Sequence, residues 1–414
     1  VESSLKGESV KLDSMILPRV KIQFLNGQLG TVGESADGLL ALICGAAAVA
    51  GTFVLNTAYS ITSMDDLAEL GVTATNNAAL YKQVSEFYDE AGTGTKLVLY
   101  PVNPSTTLTN MCDYTKTDAG YARDLITKQN GNLRGIGIAN VNTGASGTSI
   151  NGIDSDVFTA MPKAQQLAEW ATTELYAPLF FILEGRNFDP SKELKDMTKE
   201  KYDRVGIAIG DTVASSKGAT IGTWLGRIAK SPVQRNIGRV KDGSLAPLEM
   251  YVGSKKIDES ESTIKAIYEK GYLVPRKYVG RSGYFFADDN LACDPTGDYA
   301  HIAHRRVIDK AYRLAYDIML DMLLDELEVN DDGTLQVGIV KSWQQTVENG
   351  INKKMTANGE LCANSDGEGC QCYIDEKQNV LSTSKVLVTL KVRPYGYARY
   401  VDVNLGFLVE TSNS

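Results

Sequence analysis

The sequence has little of what catalytic and nucleic-acid-binding proteins most often use. Its 414 residues include two histidines, and acidic residues outnumber basic ones, 51 against 42. The net charge of −9 argues against a nucleic-acid-binding protein, which normally has a basic face. The start of the chain lacks a basic region followed by an apolar stretch, so no signal peptide is visible. With 43% hydrophobic residues the chain can bury ordinary globular cores, in about two to four domains.

Only one apolar run is long enough to be compared with a membrane span, at residues 38–55. It consists mostly of alanine and glycine, contains Thr52, and has no lysine or arginine between Lys21 and Lys82 to anchor it. We therefore expect a buried helix or strand segment here, and no stable insertion into a membrane.

The motifs of nucleotide-binding and hydrolytic enzymes are missing or broken. No G-x-x-x-x-G-K-[ST] occurs, and the glycines of GASGTSING, residues 144–152, have the wrong spacing for a dinucleotide fold. GRSGY, residues 280–284, lacks the second glycine of a nucleophile elbow. The sequence predicts no catalytic residue, although an α/β hydrolase-like or nucleotide-binding enzyme remains the alternative class.

Two small groups of residues raise the question of a metal site. His301 and His304 are three residues apart, but no third ligand lies near them in the sequence, so they are interpreted as surface or helix-start residues. Cys362, Cys370 and Cys372 have a spacing that is not a standard zinc pattern. A hairpin loop with free thiols or one local disulfide is favoured, and no metal or cofactor is predicted.

Four short, nearly continuous apolar runs predict strands that are buried on both faces. They lie at residues 96–102, 134–141, 177–185 and 204–211. Helical patterns lie between or around them, at residues 76–91, 119–129, 161–175 and 219–231. The alternation predicts an α/β layer with a largely parallel sheet. Two more helices follow, a long one over residues 301–328 and another over residues 338–359.

Strand-like sequence also lies near both ends of the chain. Residues 386–393 alternate apolar and polar, and after a break at residues 394–396 the same period continues through residue 407. Residues 20–24 alternate in the same way. A terminal strand with one apolar face needs a sheet to join, because an unpaired edge invites aggregation.

The order of several segments resembles the contractile tail sheath family of phages, bacteriocins and related injection machines. The segments that carry the resemblance are residues 58–72, 80–102, 219–245, 279–311 and 393–407. Three departures mark a divergent member. The usual N-terminal opening is missing, the Trp-Gly-x-Arg-Thr motif is replaced by YFFADDN, and the cysteine insert is atypical.

The resemblance implies a fold class: a subtilisin-like α/β middle domain without a catalytic triad, a C-terminal α+β domain, and terminal β-strand arms. The implied segments are residues 1–30 as N-terminal arm, 31–90 as N-terminal region of the body, 91–248 as the subtilisin-like domain, 249–385 as the α+β domain, and 386–414 as the C-terminal strand arm.

The resemblance also implies function, partners and location. Sheath subunits polymerise helically around a tail tube and contract, together with baseplate and tail terminator proteins, in a virion tail or injection particle assembled in the bacterial cytoplasm. Their arms complete small sheets on neighbouring subunits by strand addition. The residues expected to form these inter-subunit pairs are Lys21, Ile22, Gln23, Phe24, Leu25, Val401, Asp402, Val403, Asn404, Leu405 and Phe407.

Overall fold

The computed structural model describes residues 37–116, 120–139 and 149–405. The strands, in chain order, are β1 Leu39–Gly45, β2 Tyr59–Ile61, β3 Leu97–Val102, β4 Leu133–Ala139, β5 Ser149–Ile150, β6 Ile153–Asp154, β7 Phe180–Glu184, β8 Lys201–Tyr202, β9 Val205–Ala208, β10 Tyr251–Val252, β11 Lys255–Lys256, β12 Pro275–Arg276, β13 Phe285–Phe286, β14 Ala292–Cys293, β15 Cys370–Ile374 and β16 Val388–Val392. The α-helices are α1 Met64–Glu69, α2 Ala78–Ala91, α3 Leu108–Cys112, α4 Tyr121–Lys128, α5 Ser155–Glu174, α6 Ile221–Lys230, α7 Glu261–Glu269, α8 Ile302–Leu320, α9 Val337–Ile351 and α10 Val380–Thr383.

A six-stranded sheet forms the centre of the body. Its order is β2-β3-β1-β4-β7-β9, and all neighbours are parallel except β2, which pairs antiparallel with β3 at one edge. The four apolar runs correspond to β3, β4, β7 and β9, so the prediction of a largely parallel sheet is confirmed. The run at residues 38–55 supplies β1, a central strand, and no helix in the described ranges is long and apolar enough to cross a membrane.

Two groups of helices cover the sheet. Helices α2 and α6 pack on each other and contact β1, while α3, α4 and α5 form a second group that contacts β3 and β7. Because these strands are buried on both faces, the two groups lie on opposite sides. The α2–α6 contact is close because the second residue of α6 is glycine: a Cβ at Gly222 would lie 1.9 Å from the carbonyl oxygen of Gln83.

A second, smaller core lies beyond the sheet and contains α9, β15 and β16. Helix α8 joins the two cores, since Ile302 belongs to the first and Val307 and Ala311 to the second. The long predicted helix is confirmed but ends at Leu320, eight residues early. After Leu320 the chain forms tight turns, in which the N–H of Met322 donates to the carbonyl of Met319 and the N–H of Leu323 to that of Leu320. Met322 packs against the smaller core.

The two predicted C-terminal strands differ in the structure. The first forms β16, which pairs antiparallel with β15 of the same chain and packs on the smaller core. Residues 393–405 form no strand. Cys370 and Cys372 lie on β15 and not in a loop, which corrects the predicted hairpin loop; alternate small apolar side chains suit a strand with one buried face. All six cysteines are free. The predicted N-terminal pairing residues, Lys21 to Leu25, and Phe407 lie outside the described residues.

Substitutions at two glycines test whether the close packing of α2 on α6 contributes to the stability of the main core. Gly222 and Gly338 are each the second residue of a helix, but no atom lies within 4 Å of a Cβ placed at Gly338. We expect Gly222→Ala to lower the free energy of unfolding by about 1–3 kcal/mol, because the helices must separate. Gly338→Ala should raise it by about 0.5–1 kcal/mol. Urea denaturation of both variants measures this, and equal effects would contradict the packing account.

Candidate functional site

The ribbon of β15 and β16 has one apolar face and one solvent face. Cys370, Cys372 and Ile374 lie opposite Val392, Leu390 and Val388, and these six side chains face the smaller core. The residues between them, such as Gln371 and Lys391, are exposed. The alternation that predicted a half-buried strand at residues 386–393 is therefore satisfied inside the chain.

The two outer edges of this ribbon are not equivalent. On β15 the backbone N–H of Cys372 donates to Glu348 Oε1 at 2.7 Å, and Gln344 Nε2 donates to the Cys372 carbonyl at 3.2 Å. Both side chains belong to α9, so this helix covers the β15 edge at Cys372, the central residue of the strand. The chain itself thus prevents strand addition on that side.

No described residue pairs with the outer edge of β16. In an antiparallel ladder, directly opposite residues either bond to each other or both point away. Because Cys372 points away from β16, its partner Leu390 points away from β15, and Val388 and Val392 do the same. These three residues present N–H and C=O groups for which the described part of the chain provides no partner. An edge of this kind accepts an added strand.

The segment that follows β16 is held on the body at three alternate residues. The Tyr395 carbonyl lies 3.2 Å from His304 Nε2, and the Tyr397 hydroxyl donates to the carbonyl of Gln234. Arg399 Nε donates to Asp288 Oδ2 at 2.7 Å. We call residues 395–399 the root of the arm.

The carboxylates that receive Arg399 form a buried, fully used network. Asn236 Nδ2 donates to Asp288 Oδ1 and to Asp289 Oδ1, at 2.5 and 2.9 Å. The N–H of Ala303, at the start of α8, donates to Asp289 Oδ2 at 2.8 Å. Burial by itself raises the pKa of Asp288, but the hydrogen bond and charge of Arg399 outweigh it and lower that pKa to about 2. Burial raises the pKa of Asp289.

Asp288, Asp289 and His301 also bring one possible metal-ligand atom each to within 4.8 Å of one another. The oxygens that a metal ion would need already accept hydrogen bonds from Arg399, Asn236 and Ala303, so Arg399 is the cation of this cluster. His301 directly precedes α8 and His304 lies in its first turn, which confirms the helix-start interpretation. They face different partners, since His301 Nδ1 lies 3.3 Å from Asp289 Oδ1 and His304 points to Tyr395.

The predicted pairing residues that the structure describes lie beyond the root, in solvent. Val401, Val403 and Leu405 are 75%, 76% and 95% exposed, and Asp402 and Asn404 are exposed as well. No hydrogen bond joins residues 401–405 to another described residue. We call residues 401–405 the arm. The structure brings none of these residues into a site within the chain.

At the carboxyl end of the parallel sheet, where α/β enzymes bind their ligands, the charged side chains just beyond β9 pair with one another. Lys82 Nζ lies 2.8 Å from Glu86 Oε1 and 2.5 Å from Asp211 Oδ1, just beyond β9. Thr220 Oγ1 donates to the other Glu86 oxygen at 2.8 Å. In the described ranges, Ser282 of GRSGY forms no hydrogen bond with His301 or His304, so the grouping of a serine hydrolase is not formed there.

The DUF2586 family matches almost the entire chain. Its N-terminal domain matches residues 17–290, and its C-terminal domain matches residues 298–412. The chain belongs to the DUF2586 family.

A relative of this DUF2586 protein comes from Haemophilus phage HP1 (strain HP1c1) and bears the name "Putative tail sheath protein". It is 27% identical over 195 residues, which are 45% of this chain and 50% of the phage protein. The match thus spans half the length of that relative.

Solved structures share the fold. A chain of the anti-feeding prophage baseplate has a TM-score of 0.63 and 13% identity, covering 96% of this chain and all of that one. A chain of the same prophage's helical sheath in the contracted state has a TM-score of 0.60 and 12% identity, covering 95% and 99%. The resemblance to contractile tail sheath proteins predicted from the sequence is confirmed, and at these identities the structures establish the mixed α/β fold.

The ion pair at the root gives a stability prediction. We expect Arg399→Gln to lower the free energy of unfolding at pH 7 by about 3 kcal/mol, at the lower end of what breaking a buried pair costs, because a quarter of the Arg399 side chain is exposed. Arg393→Gln is the matched control, since Arg393 is exposed and forms no ion pair with the described residues. Its effect should stay within about 0.5 kcal/mol.

The same variant should show a defined pH dependence. The pKa of Asp288 is lowered in the fold, so the stability that Arg399 provides is present above pH 3.8 and is lost as the pH falls through about 2. The difference between wild type and Arg399→Gln should therefore shrink as the pH falls from about 5 to about 2 in denaturant titrations. A difference that stays constant or grows on acidification would contradict the assigned pair.

Proposed function

We propose that this protein is a structural subunit of a contractile sheath that polymerises helically around a tail tube and drives it through a cell envelope. The phage relative and the shared fold support this. The central observation is that one chain carries an open strand edge at β16 and an apolar arm in solvent, and neither has a partner among the described residues. Structural sheath proteins are not enzymes, and the pairing of the charged side chains beyond β9 with one another gives no support to a catalytic alternative.

The proposed joint is strand addition between subunits. β16 comprises five residues, about 17 Å of strand, and residues 401–405 alone are enough to cover it along its whole length. Addition would satisfy the N–H and C=O groups of Val388, Leu390 and Val392. It would also remove Val401, Val403 and Leu405 from water, at about 1.5–3 kcal/mol for each fully buried side chain.

Donation of the arm to the β16 edge of a neighbouring subunit produces a polymer and not a closed dimer. The donating arm and the accepting edge are different surfaces, and head-to-tail contacts between different surfaces generate a helix unless the rotation closes a ring. Residues 21–25 are proposed as a second donated strand. Tail tube, baseplate and tail terminator proteins are the proposed partners, in a virion tail or injection particle assembled in the bacterial cytoplasm, with no nucleic acid bound.

The finer details of the fold belong to the same proposal. The middle of the chain, residues 91–248, is proposed to be subtilisin-like without a catalytic triad, and residues 249–385 to form the α+β domain. What supports this is the parallel sheet with helices on both sides, followed by the smaller core. β1 and β2 belong to the same sheet, so residues 39–61 share the core of the middle domain.

Proline substitutions along the arm test strand pairing. Successive residues of a strand point their N–H groups to opposite sides, so an added outer strand donates from every second residue only. We expect one of Val403→Pro and Asn404→Pro to abolish assembly while the other retains it. Assembly is measured by electron microscopy, as the presence of a striated sleeve in the concentrated protein or in particles carrying it. The melting temperature of the isolated subunit should not change in either variant, since both residues lie in solvent.

A loss of assembly in both variants would indicate that the arm is paired on both sides, which also supports strand addition. Normal sleeves from both variants would exclude it. A marked fall in subunit melting temperature would show that the arm belongs to the body.

A further inference from the structure

The root and the arm form one continuous strip of chain with a common face. The side chains of Tyr397 and Arg399 bind the body, whereas Ala398 between them is exposed. Tyr395 contributes its backbone carbonyl to the contact with His304, and its own side chain is exposed. In an extended chain, Val401, Val403 and Leu405 follow on the same side. The face that binds the body in the root is therefore apolar in the arm, where no described residue lies beneath it.

Arg399, the last residue of the root, is the residue that is bound most strongly to the body. If Arg399 left its place, Asp288, 5% exposed, and Asp289, 0% exposed, would lose their cation. Leaving buried carboxylates unpaired costs several kcal/mol. The arm, by contrast, moves from solvent and breaks no contact with the described residues. Any bending between subunit and joint is thus easiest after Arg399 and hardest before it.

We propose that Arg399, bound by Asp288 and Asp289, is a pin that stays closed in the assembled sheath and fixes the register of the arm. This rests on the proposed function, and it adds the residue that positions the donated strand. Register matters because a shift of one residue turns Val401, Val403 and Leu405 away from the accepting subunit. Arg399 is a positioning residue, and it contacts its own subunit only.

Identical insertions on the two sides of the pin test this. Gly-Ser-Gly adds about 10 Å of extended chain, either between Arg393 and Pro394 or between Tyr400 and Val401. If Arg399 stays bound, the insertion between Arg393 and Pro394 forms a bulge before the root. The yield of sleeves and their helical rise should then equal those of the wild type. The insertion between Tyr400 and Val401 lengthens the linker between the body and the donated strand. We therefore expect that sleeves are lost or that their helical rise becomes variable in cryo-EM. Adding Arg399→Gln to the upstream insertion should then reproduce the downstream defect.

A purely structural role for Arg399 predicts no dependence on where the residues are inserted. If the two insertions give the same sleeves while one of the arm prolines still blocks assembly, strand donation stands and the pin is wrong. If neither insertion and neither proline affects the sleeve, the joint itself is wrong. Melting temperatures of the isolated variants verify that each subunit is folded.

Discussion

The proposed assembly depends on a strand, β16, that is hydrogen-bonded on one side only within the described part of the chain. β16 has β15 on one side, and α9 has already closed the far edge of β15 through Glu348 and Gln344. The backbone groups of Val388, Leu390 and Val392 therefore point outward, where none of the residues described here pairs with them. Backbone N–H and C=O groups need partners when they leave water. We propose that the arm, in which Val401, Val403 and Leu405 alternate as the apolar residues of β16 do, is the partner that the chain supplies to another copy of itself.

Contraction of a sheath requires subunits that keep their shape while their relative positions change, and the structure divides these tasks. The body is rigid where helices approach backbone to backbone, as at Gly222 against Gln83. The proposed joint is confined to the exposed residues 401–405, which lie beyond Arg399. Backbone hydrogen bonds in an added strand survive a rigid-body movement if the linker bends and the pairing does not. A root that Arg399 fixes to the body, followed by an arm that makes no contact with it, would allow the linker to bend while the strand pairing stays intact.

The parts of this fold that depend on local pattern could be predicted from the sequence. Buried strands, flanking helices and the long helix α8 have clear apolar periods, and the predicted sheet is confirmed. The two C-terminal strands could not be told apart, because residues 388–392 and 401–405 alternate in the same way. What separates them is β15, whose cysteines lie within a glycine-rich stretch that favours a loop. Likewise Asp288 and Asp289 give no local signal, since their partner Arg399 is more than a hundred residues away in the chain.

The most direct test of the account is a helical cryo-EM reconstruction of the sleeve at a resolution that shows side chains. The account predicts that residues 401–405 of one subunit lie as a strand beside β16 of a neighbouring subunit, hydrogen-bonded to Val388, Leu390 and Val392, with Arg399 still on its own Asp288. A reconstruction in which residues 401–405 lie on their own body and the outer edge of β16 remains bare would contradict it.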